Sequence, residues 1–196
     1  MPSASGPRAL IEVAIAPMAR LLNEAGYRKK GRNFSKVSGA SVAILNVQAS
    51  QLSRDNSARF TINLGSYIPS VSSLANGSTV IPSSYEECSW FSPIGFIMPS
   101  RNDKWWTVSS ELSPGDIAEE VVFDVQTFAM PWLERNFTVG GLVESLRISG
   151  SRGAADLLWK LGKRQAAVEC IGLVPQNTAS RATAVQQWLK DHSIEP

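Results

Sequence analysis

The sequence predicts an α+β fold: an antiparallel sheet of about five strands packed by helices, followed by a C-terminal helical subdomain. Strand-like segments follow one another from residue 33 to residue 108 without helical patterns between them, which favours an antiparallel meander over βαβ units. After Ser109 the pattern changes to helical periods separated by Gly and Pro. We therefore place the sheet domain at residues 1–137 and a helical extension, packed on it, at residues 138–196.

The first predicted element is a helix that ends at Gly26. One face of this helix is apolar and carries Leu10, Ala14, Met18, Leu21, Leu22 and Ala25. Gly26 stands where a helix C-terminus favours a left-handed residue. Pro17 lies inside the pattern, and because proline has no amide hydrogen it must kink the helix or restart it.

Three strands are predicted next, at residues 33–37, Ser41–Ala49 and Arg59–Ser66. The second reads SVAILNVQA and is rich in β-branched residues, and the third reads RFTINLGS and alternates apolar with polar residues. If their apolar faces agree, the polar side chains of both strands gather on the reverse face.

A long irregular connection is predicted at Tyr67–Glu87, which is rich in Ser, Pro, Gly and Asn. Two more strands, Ser92–Met98 and Trp105–Val108, are predicted beyond it, joined by the turn SRND.

The helical part begins at Ser113, which offers a capping hydroxyl ahead of Pro114. This helix is predicted to run to about Met130 and to cover the same face of the sheet as the first helix, with Pro131 opening a separate short piece. The remaining predicted helices are Leu142–Ile148, Gly153–Leu161, Lys163–Leu173 and Ser180–His192.

Composition excludes several classes of protein. With 43% hydrophobic and 18% charged residues the chain is not of the disordered kind, and a net charge of +2 gives no bulk attraction to nucleic acid. Glu12 and Pro17 interrupt the apolar N-terminal segment, so we expect neither a signal peptide nor a membrane partner. Two distant cysteines, Cys88 and Cys170, predict reduced thiols and a cytoplasmic protein.

Catalytic signatures are missing from the sequence. The only histidine, His192, is in a terminus that we expect to be loosely held, which is a poor place for the base of a Ser or Cys nucleophile. Metal-ligand spacings and phosphate-binding glycine motifs are absent, so we expect no cofactor, no metal and no catalytic residue. Paired carboxylates remain open as an alternative, and the candidates are Glu86, Glu87, Glu119, Glu120 and Asp124.

A basic cluster follows the first helix. It contains Arg28, Lys29, Lys30, Arg32 and Lys36. These cations, flanked by Tyr27 and Phe34, are candidates for binding a phosphate, a nucleic-acid backbone or an acidic partner. The alternative is a solvated edge strand whose lysines discourage aggregation.

A polar patch is predicted on the sheet, where Asn46, Gln48, Thr61 and Asn63 share one face if the two long strands pair. Such amides and a hydroxyl suit a small polar ligand or a peptide backbone. The alternative is a structural network that holds a covering segment.

Trp105 and Trp106 are adjacent on a predicted strand, so one side chain is expected in the core and the other on a surface. The exposed one is a further candidate for ligand binding, and core packing is the alternative for both.

The chain resembles the bacterial domain-of-unknown-function family 4304. The opening run AGYRKKGRNF at residues 25–34 is similar to that family's, and later motifs follow in the same order: VQ at 47–48, FTINLG at 60–65, Cys88, KWW at 104–106 and PWLE at 131–134. The resemblance covers Ile11 to Leu146 and implies the fold without an activity.

Together these observations lead us to expect a non-catalytic bacterial binding protein with a protein partner, of the immunity or adaptor kind, without ruling out an enzyme. One alternative is nucleic-acid or polyanion binding through the Arg28–Lys36 cluster. A second alternative is a small-molecule-binding enzyme of unknown reaction.

Overall fold

A computed structural model describes residues 6–51, 53, 57–77, 79–109 and 114–194, which are called the described residues below. The chain divides into two compact units. The first consists of Met1–Ile68 with Val80–Phe137, and the second of Pro69–Thr79 with Thr138–Pro196.

Helix α1 spans Pro7–Glu24 and runs through Pro17 without a break. It ends because Gly26 adopts a φ of +87°, a conformation that costs glycine little. The amide of Tyr27 then donates back to the carbonyl of Leu22 over 2.9 Å, which closes the helix end. The predicted apolar face is buried at its centre, where Ala14, Met18 and Leu22 contact the core.

Within the described residues the sheet of the first unit has six antiparallel strands. They are β1 Arg28–Lys30, β2 Asn33–Ser38, β3 Ser41–Ala49, β4 Ser57–Tyr67, β5 Trp90–Pro93 and β6 Trp106–Ser109. Strands β1 to β5 lie in chain order, and β6 pairs with β4. The predicted antiparallel sheet is thus confirmed, with β1 as a strand that the pattern did not predict.

The strand predicted at Trp105–Val108 is confirmed as β6, whereas the strand predicted at Ser92–Met98 is largely wrong. Strand β5 ends at Pro93, and a short helix, α3, spans Ile94–Ile97. Strands β5 and β6 lie end to end along one edge of β4, β5 opposite its second half and β6 opposite its first. Pro93 terminates β5 because it has no amide hydrogen to donate.

The connection predicted to be irregular contains structure. Helix α2 spans Pro69–Asn76, and a 3-10 turn spans Tyr85–Glu87. The burial of Val71, which is fully inaccessible, explains how a segment of Ser and Asn forms a helix, since packing overrides weak propensity.

The short piece predicted to open at Pro131 is present as a helix of its own, but no gap separates it from the helix before it. Helix α4, Pro114–Asp124, continues through a π-helical turn at Val125–Ala129 into α5, Met130–Arg135. The wide turn lies directly before Pro131, whose ring would clash with the carbonyl of residue 127 in a regular helix. The predicted cap, Ser113, lies outside the described residues.

Helices α1 and α4 cover one face of the sheet, as predicted, and we call this the inner face. Its side chains include Leu45, Phe60 and Ile62, which are inaccessible to solvent. The rings of Phe60 and Trp106 stack with centroids 5.4 Å apart. The opposite side is called the outer face.

The second unit contains, besides α2, the helices α6 Val139–Arg147, α7 Arg152–Lys160, α8 Arg164–Gly172 and α9 Ala179–Asp191. The four predicted C-terminal helices are confirmed to within a few residues. The expectation that His192 is loosely held is wrong. Its ring stacks on Trp188 with centroids 4.1 Å apart, and its Nδ1 donates to the Trp188 carbonyl over 2.7 Å.

We predict that Gly95→Ala destabilises the protein by about 1–3 kcal/mol because the added methyl group overpacks α3. A Cβ at this position would meet the carbonyl oxygen of Asn102 and lie 2.8 Å from the amide nitrogen of Lys104. Both are backbone atoms and have little room to move. Urea unfolding of the variant measures the loss.

The control for this prediction is Gly153→Ala in α7, where an added Cβ meets no atom within 4 Å. We expect it to stabilise by roughly 0.4–1 kcal/mol through reduced freedom of the unfolded chain. An unchanged urea midpoint in Gly95→Ala would contradict the close packing of α3.

Candidate functional site

Three asparagines form a row across the outer face. Asn33 on β2 is paired with Asn46 on β3, which is paired in turn with Asn63 on β4. Gln48 and Thr61 are paired directly beside this row. The prediction that Asn46, Gln48, Thr61 and Asn63 share one face is therefore confirmed, and Asn33 extends the patch by one strand.

The amides of this row bind one another. Asn46 donates its Nδ2 to Oδ1 of Asn33 over 2.6 Å, and Asn63 donates its Nδ2 to Oε1 of Gln48 over 2.7 Å. Asn33 and Asn46 are directly paired, whereas Asn63 and Gln48 are diagonal neighbours on the same face, and both arrangements bring side chains within reach. Each hydrogen bond uses one donor and one acceptor, so part of the hydrogen-bonding capacity of the amides is already occupied in the absence of a ligand.

A covering segment lies on the outer face, and we define it as residues 79–91. Asn33 donates to the carbonyl of Ser83, and the hydroxyl of Tyr85 donates to Oε1 of Gln48, both over 3.5 Å. Gly65 of β4 leaves room for this segment, because a Cβ there would lie 2.7 Å from Cys88 Sγ. These contacts are those of a structural network that holds the segment in place.

Accessibility separates the amide patch into two parts. Asn63 is 4% exposed and Thr61 is 3% exposed, whereas Gln48 is exposed and Asn46 is half-buried. Only Gln48 and Asn46 can therefore meet a ligand without a rearrangement. Thr61 is notable because its Oγ1 is buried and has no hydrogen-bond partner, an arrangement that costs free energy.

The side chains of Trp105 and Trp106 lie on opposite faces of the sheet, as predicted. Trp106 is 2% exposed in the inner core, so it does not line the same surface as the amides. Trp105 is half-buried on the other side, where its Nε1 donates to Oδ2 of Asp103 over 2.7 Å. The guanidinium carbon of Arg59 lies 5.5 Å from the centroid of the Trp105 ring, which is cation–π distance.

The basic cluster does not form one cationic surface. Lys29 and Arg32 approach Glu12 of α1, at 2.9 and 3.8 Å. Lys36 lies 3.7 Å from Glu134 of α5. Arg28 and Lys30 are the two members on the outer face, since they pair with Ser35 and Asn33, and among the described residues they have no ion pair.

Three of the five carboxylate candidates, Glu87, Glu120 and Asp124, make structural contacts. Lys104 bonds Glu120 and lies 3.6 Å from Asp124. Burial raises the pKa of Asp124, while Lys104 opposes that rise. Glu87 accepts a hydrogen bond from the amide of Ser83 over 2.7 Å, which lowers its pKa. Among the described residues no group of three His, Cys, Asp or Glu side chains is placed to hold a metal ion.

Both thiols are free and buried. Burial, reinforced by Glu87, raises the pKa of Cys88 to about 12, so almost no thiolate forms at neutral pH. Cys170 donates its thiol to the carbonyl of Leu146 over 3.1 Å. Neither cysteine has the accessible thiol that a nucleophile requires.

Sequence reasoning missed Asn33, Arg59 and Tyr85 as members of this surface. Asn33 could have been predicted from the sequence, because a two-residue turn at Gly39-Ala40 fixes the β2–β3 register and places Asn33 opposite Asn46. Tyr85 comes from the irregular connection, where no periodicity indicates a face. The two cavities found in the second unit, at α9 and around Arg147, are lined by none of the predicted site residues.

Comparison with known families identifies the family to which the sheet region is similar. The model of the family described as "Domain of unknown function (DUF4304)" matches residues 18–135, a range that contains every strand of the sheet. No curated protein and no solved structure matches significantly. None of the helices within the described residues is both long enough and apolar enough to cross a membrane.

We predict that neither thiol reacts with Ellman's reagent in the native protein at pH 8, because both sulfur atoms are buried and the pKa of Cys88 is about 12. In denaturant both thiols should react, giving two equivalents per chain. Rapid reaction of one equivalent under native conditions would contradict the burial of Cys88 or Cys170.

Proposed function

We propose that this chain, which belongs to the family described as domain of unknown function (DUF4304), is a non-catalytic binding protein that engages a protein partner. The binding surface is the covering segment together with the rim of the outer face. The observation that carries the proposal is a group of exposed apolar side chains on a segment that the amide network holds in place.

The apolar side chains are Val80, Ile81 and Phe91. They are 74%, 69% and 45% exposed, although each belongs to the covering segment. Phe91 packs edge-on against Tyr85, with ring centroids 5.7 Å apart. Exposed aromatic and aliphatic residues of this kind are typical of the centre of a protein–protein interface.

The hydrogen bonds that hold the covering segment reduce the conformational entropy that these residues lose on binding. The covering segment is fixed by the contacts of Ser83 with Asn33 and of Tyr85 with Gln48. A surface that is ordered before binding loses less conformational freedom when a partner arrives.

The partner is acidic at the edge of its contact surface. Arg28, Lys30 and Arg59 are exposed cations of the outer face, and no ion pair engages them within the described residues. The exposed acids nearby are Glu86, Glu87 and Asp103, and the Ser83 amide favours the charged form of Glu87. Cations at the rim of an interface steer and orient an acidic partner more than they add affinity.

A non-catalytic role is supported by the uses to which potential catalytic groups are put. The thiols are buried, the imidazole of His192 stacks on Trp188, and Asp124 shares Lys104 with Glu120. Two free thiols also fit a reducing compartment, so we place the protein in a bacterial cytoplasm, in an immunity-type or adaptor role.

Polyanion binding is the second candidate function. The cluster retains Arg28 and Lys30 for phosphate contacts, whereas Lys29, Arg32 and Lys36 lie beside Glu12 and Glu134. Because nucleic-acid affinity grows with the number of neutralised phosphates, two available cations favour the protein partner. The enzyme alternative would need a ligand cavity over Gln48 and Asn46.

We predict that Phe91→Ser abolishes retention of the physiological partner, because it removes the apolar anchor from the surface. Matched capture from lysates, with wild type and variant at equal concentration and quantitative mass spectrometry, measures the loss. A protein retained by the wild type but reduced at least tenfold by Phe91→Ser is the expected result.

The control is Phe96→Ser on α3, since Phe96 is 52% exposed and lies outside the covering segment. It should retain the same protein as the wild type does. Equal retention by all three proteins would place the interface elsewhere on the molecule and contradict the proposal.

We predict no saturable gel shift of a single-stranded or double-stranded oligonucleotide at physiological salt. The physical reason is the small number of available cations on the outer face. A shift that weakens steeply with salt and is lost in Lys30→Glu, but kept in a Lys163→Glu control, would instead establish the polyanion function.

A further inference from the structure

The outer face carries a second feature, at the edge where β6 pairs with β4. Arg59 on β4 points to this face, and its guanidinium lies over the indole of Trp105. Asp103 accepts the indole N–H over 2.7 Å and so fixes the ring. A guanidinium that contacts the ring through its carbon keeps N–H donors available for a ligand.

Arg59 lacks an ion pair within the described part of the chain, although its side chain is fixed by the ring. Thr61 is two residues further along β4 and therefore lies on the same face. Its Oγ1 is buried without a hydrogen-bond partner, in a residue that is 3% exposed. As far as the described residues show, a cation without a carboxylate and a hydroxyl without a partner are thus neighbours on one strand.

Gln48 completes the arrangement, because it is paired with Thr61 across the β3–β4 ladder. Its Oε1 already accepts from Asn63 and Tyr85, which leaves the Nε2 hydrogens as donors. The unused capacity of Arg59, Gln48 and Thr61 therefore consists of N–H and O–H donors. A ligand that fits this site must supply acceptors.

We propose that Arg59, Gln48 and Thr61 form a carboxylate-binding site. The planar guanidinium receives the two carboxylate oxygens, and Gln48 Nε2 and Thr61 Oγ1 donate to them once the exposed Gln48 side chain reorients and admits the ligand to Thr61. Bidentate Arg–carboxylate pairs of this kind are stronger and more directional than single hydrogen bonds.

Charge favours a carboxylate over a phosphate. The site offers one cation, and the carboxylate of Asp103 is held on the same indole ring. A doubly charged phosphate would leave one negative charge uncompensated and would be repelled by Asp103. A singly charged carboxylate is neutralised by Arg59 alone.

The inference rests on the proposed function, in that the carboxylate belongs to an Asp, Glu or C-terminus of the protein partner. The inference identifies the Arg59 site as the part of the outer face that binds an acidic group of that partner. Arg28 and Lys30, which lie over no aromatic ring of the described residues, contribute long-range attraction instead.

The test uses the full chain labelled with ¹⁵N and titrated with potassium acetate. Potassium chloride and potassium phosphate are titrated separately at matched ionic strength. The resonances of Arg59 Nε–H and Trp105 Nε1–H should shift saturably with acetate and not with chloride. A linear shift with acetate, or tighter saturation by phosphate, would overturn the proposal.

Variants separate the site from the fold. Arg59→Gln should abolish the acetate response, Arg59→Lys should weaken it because the fork geometry is lost, and Arg28→Gln should leave it intact. Thr61→Val keeps the side-chain shape and removes an unpartnered hydroxyl, so the urea midpoint should not fall. The same variant should weaken acetate binding about tenfold.

An unchanged acetate affinity in Thr61→Val, or an acetate response that survives in Arg59→Gln, contradicts the site. The Phe91→Ser capture experiment involves neither residue. If the wild type shows no saturable acetate response but Phe91→Ser still reduces partner retention, the carboxylate site alone is refuted. If the wild type binds acetate but Phe91→Ser leaves partner retention unchanged, the partner surface alone is refuted.

Discussion

The antiparallel pairing of β4 with its neighbours is the constraint on which the rest of the first unit depends. Strand β3 covers one edge of β4 in a ladder from Val42–Tyr67 to Ala49–Phe60, and β5 and β6 divide the other edge between them. Because side chains alternate along a strand, this register sends Leu45 and Ile62 to the inner face. The same register sends every amide of the polar patch to the outer face.

Burial of those amides would be unfavourable if they did not satisfy one another. Asn63 is nearly inaccessible, and its bond to Gln48 offsets part of the cost of removing it from water. The outer amides then hold the covering segment, which brings Tyr85 and Phe91 together. The polar network is therefore the cause of an apolar surface, because it fixes the segment that displays the apolar side chains.

In the proposed interface, the two features of the outer face complement each other. Exposed Val80, Ile81 and Phe91 supply apolar area, whereas Arg59, held on Trp105, supplies a directed charge. Arginine beside apolar and aromatic residues is a common composition for the residues that dominate binding energy. The cations that face α1 and α5 do not take part, because they lie beside Glu12 and Glu134.

The sequence by itself determined the order of the main elements, the α+β class, the family and the face on which Asn46, Gln48, Thr61 and Asn63 lie. These depend on local periodicity and on the two-residue turn at Gly39-Ala40, which are both properties of neighbouring residues. The tertiary structure decided the rest: β5 and β6 share one edge of β4, the basic cluster divides between two faces, and the connection folds over the amides. Such contacts join residues distant in sequence, and their free energies depend on burial and shape that no local pattern encodes.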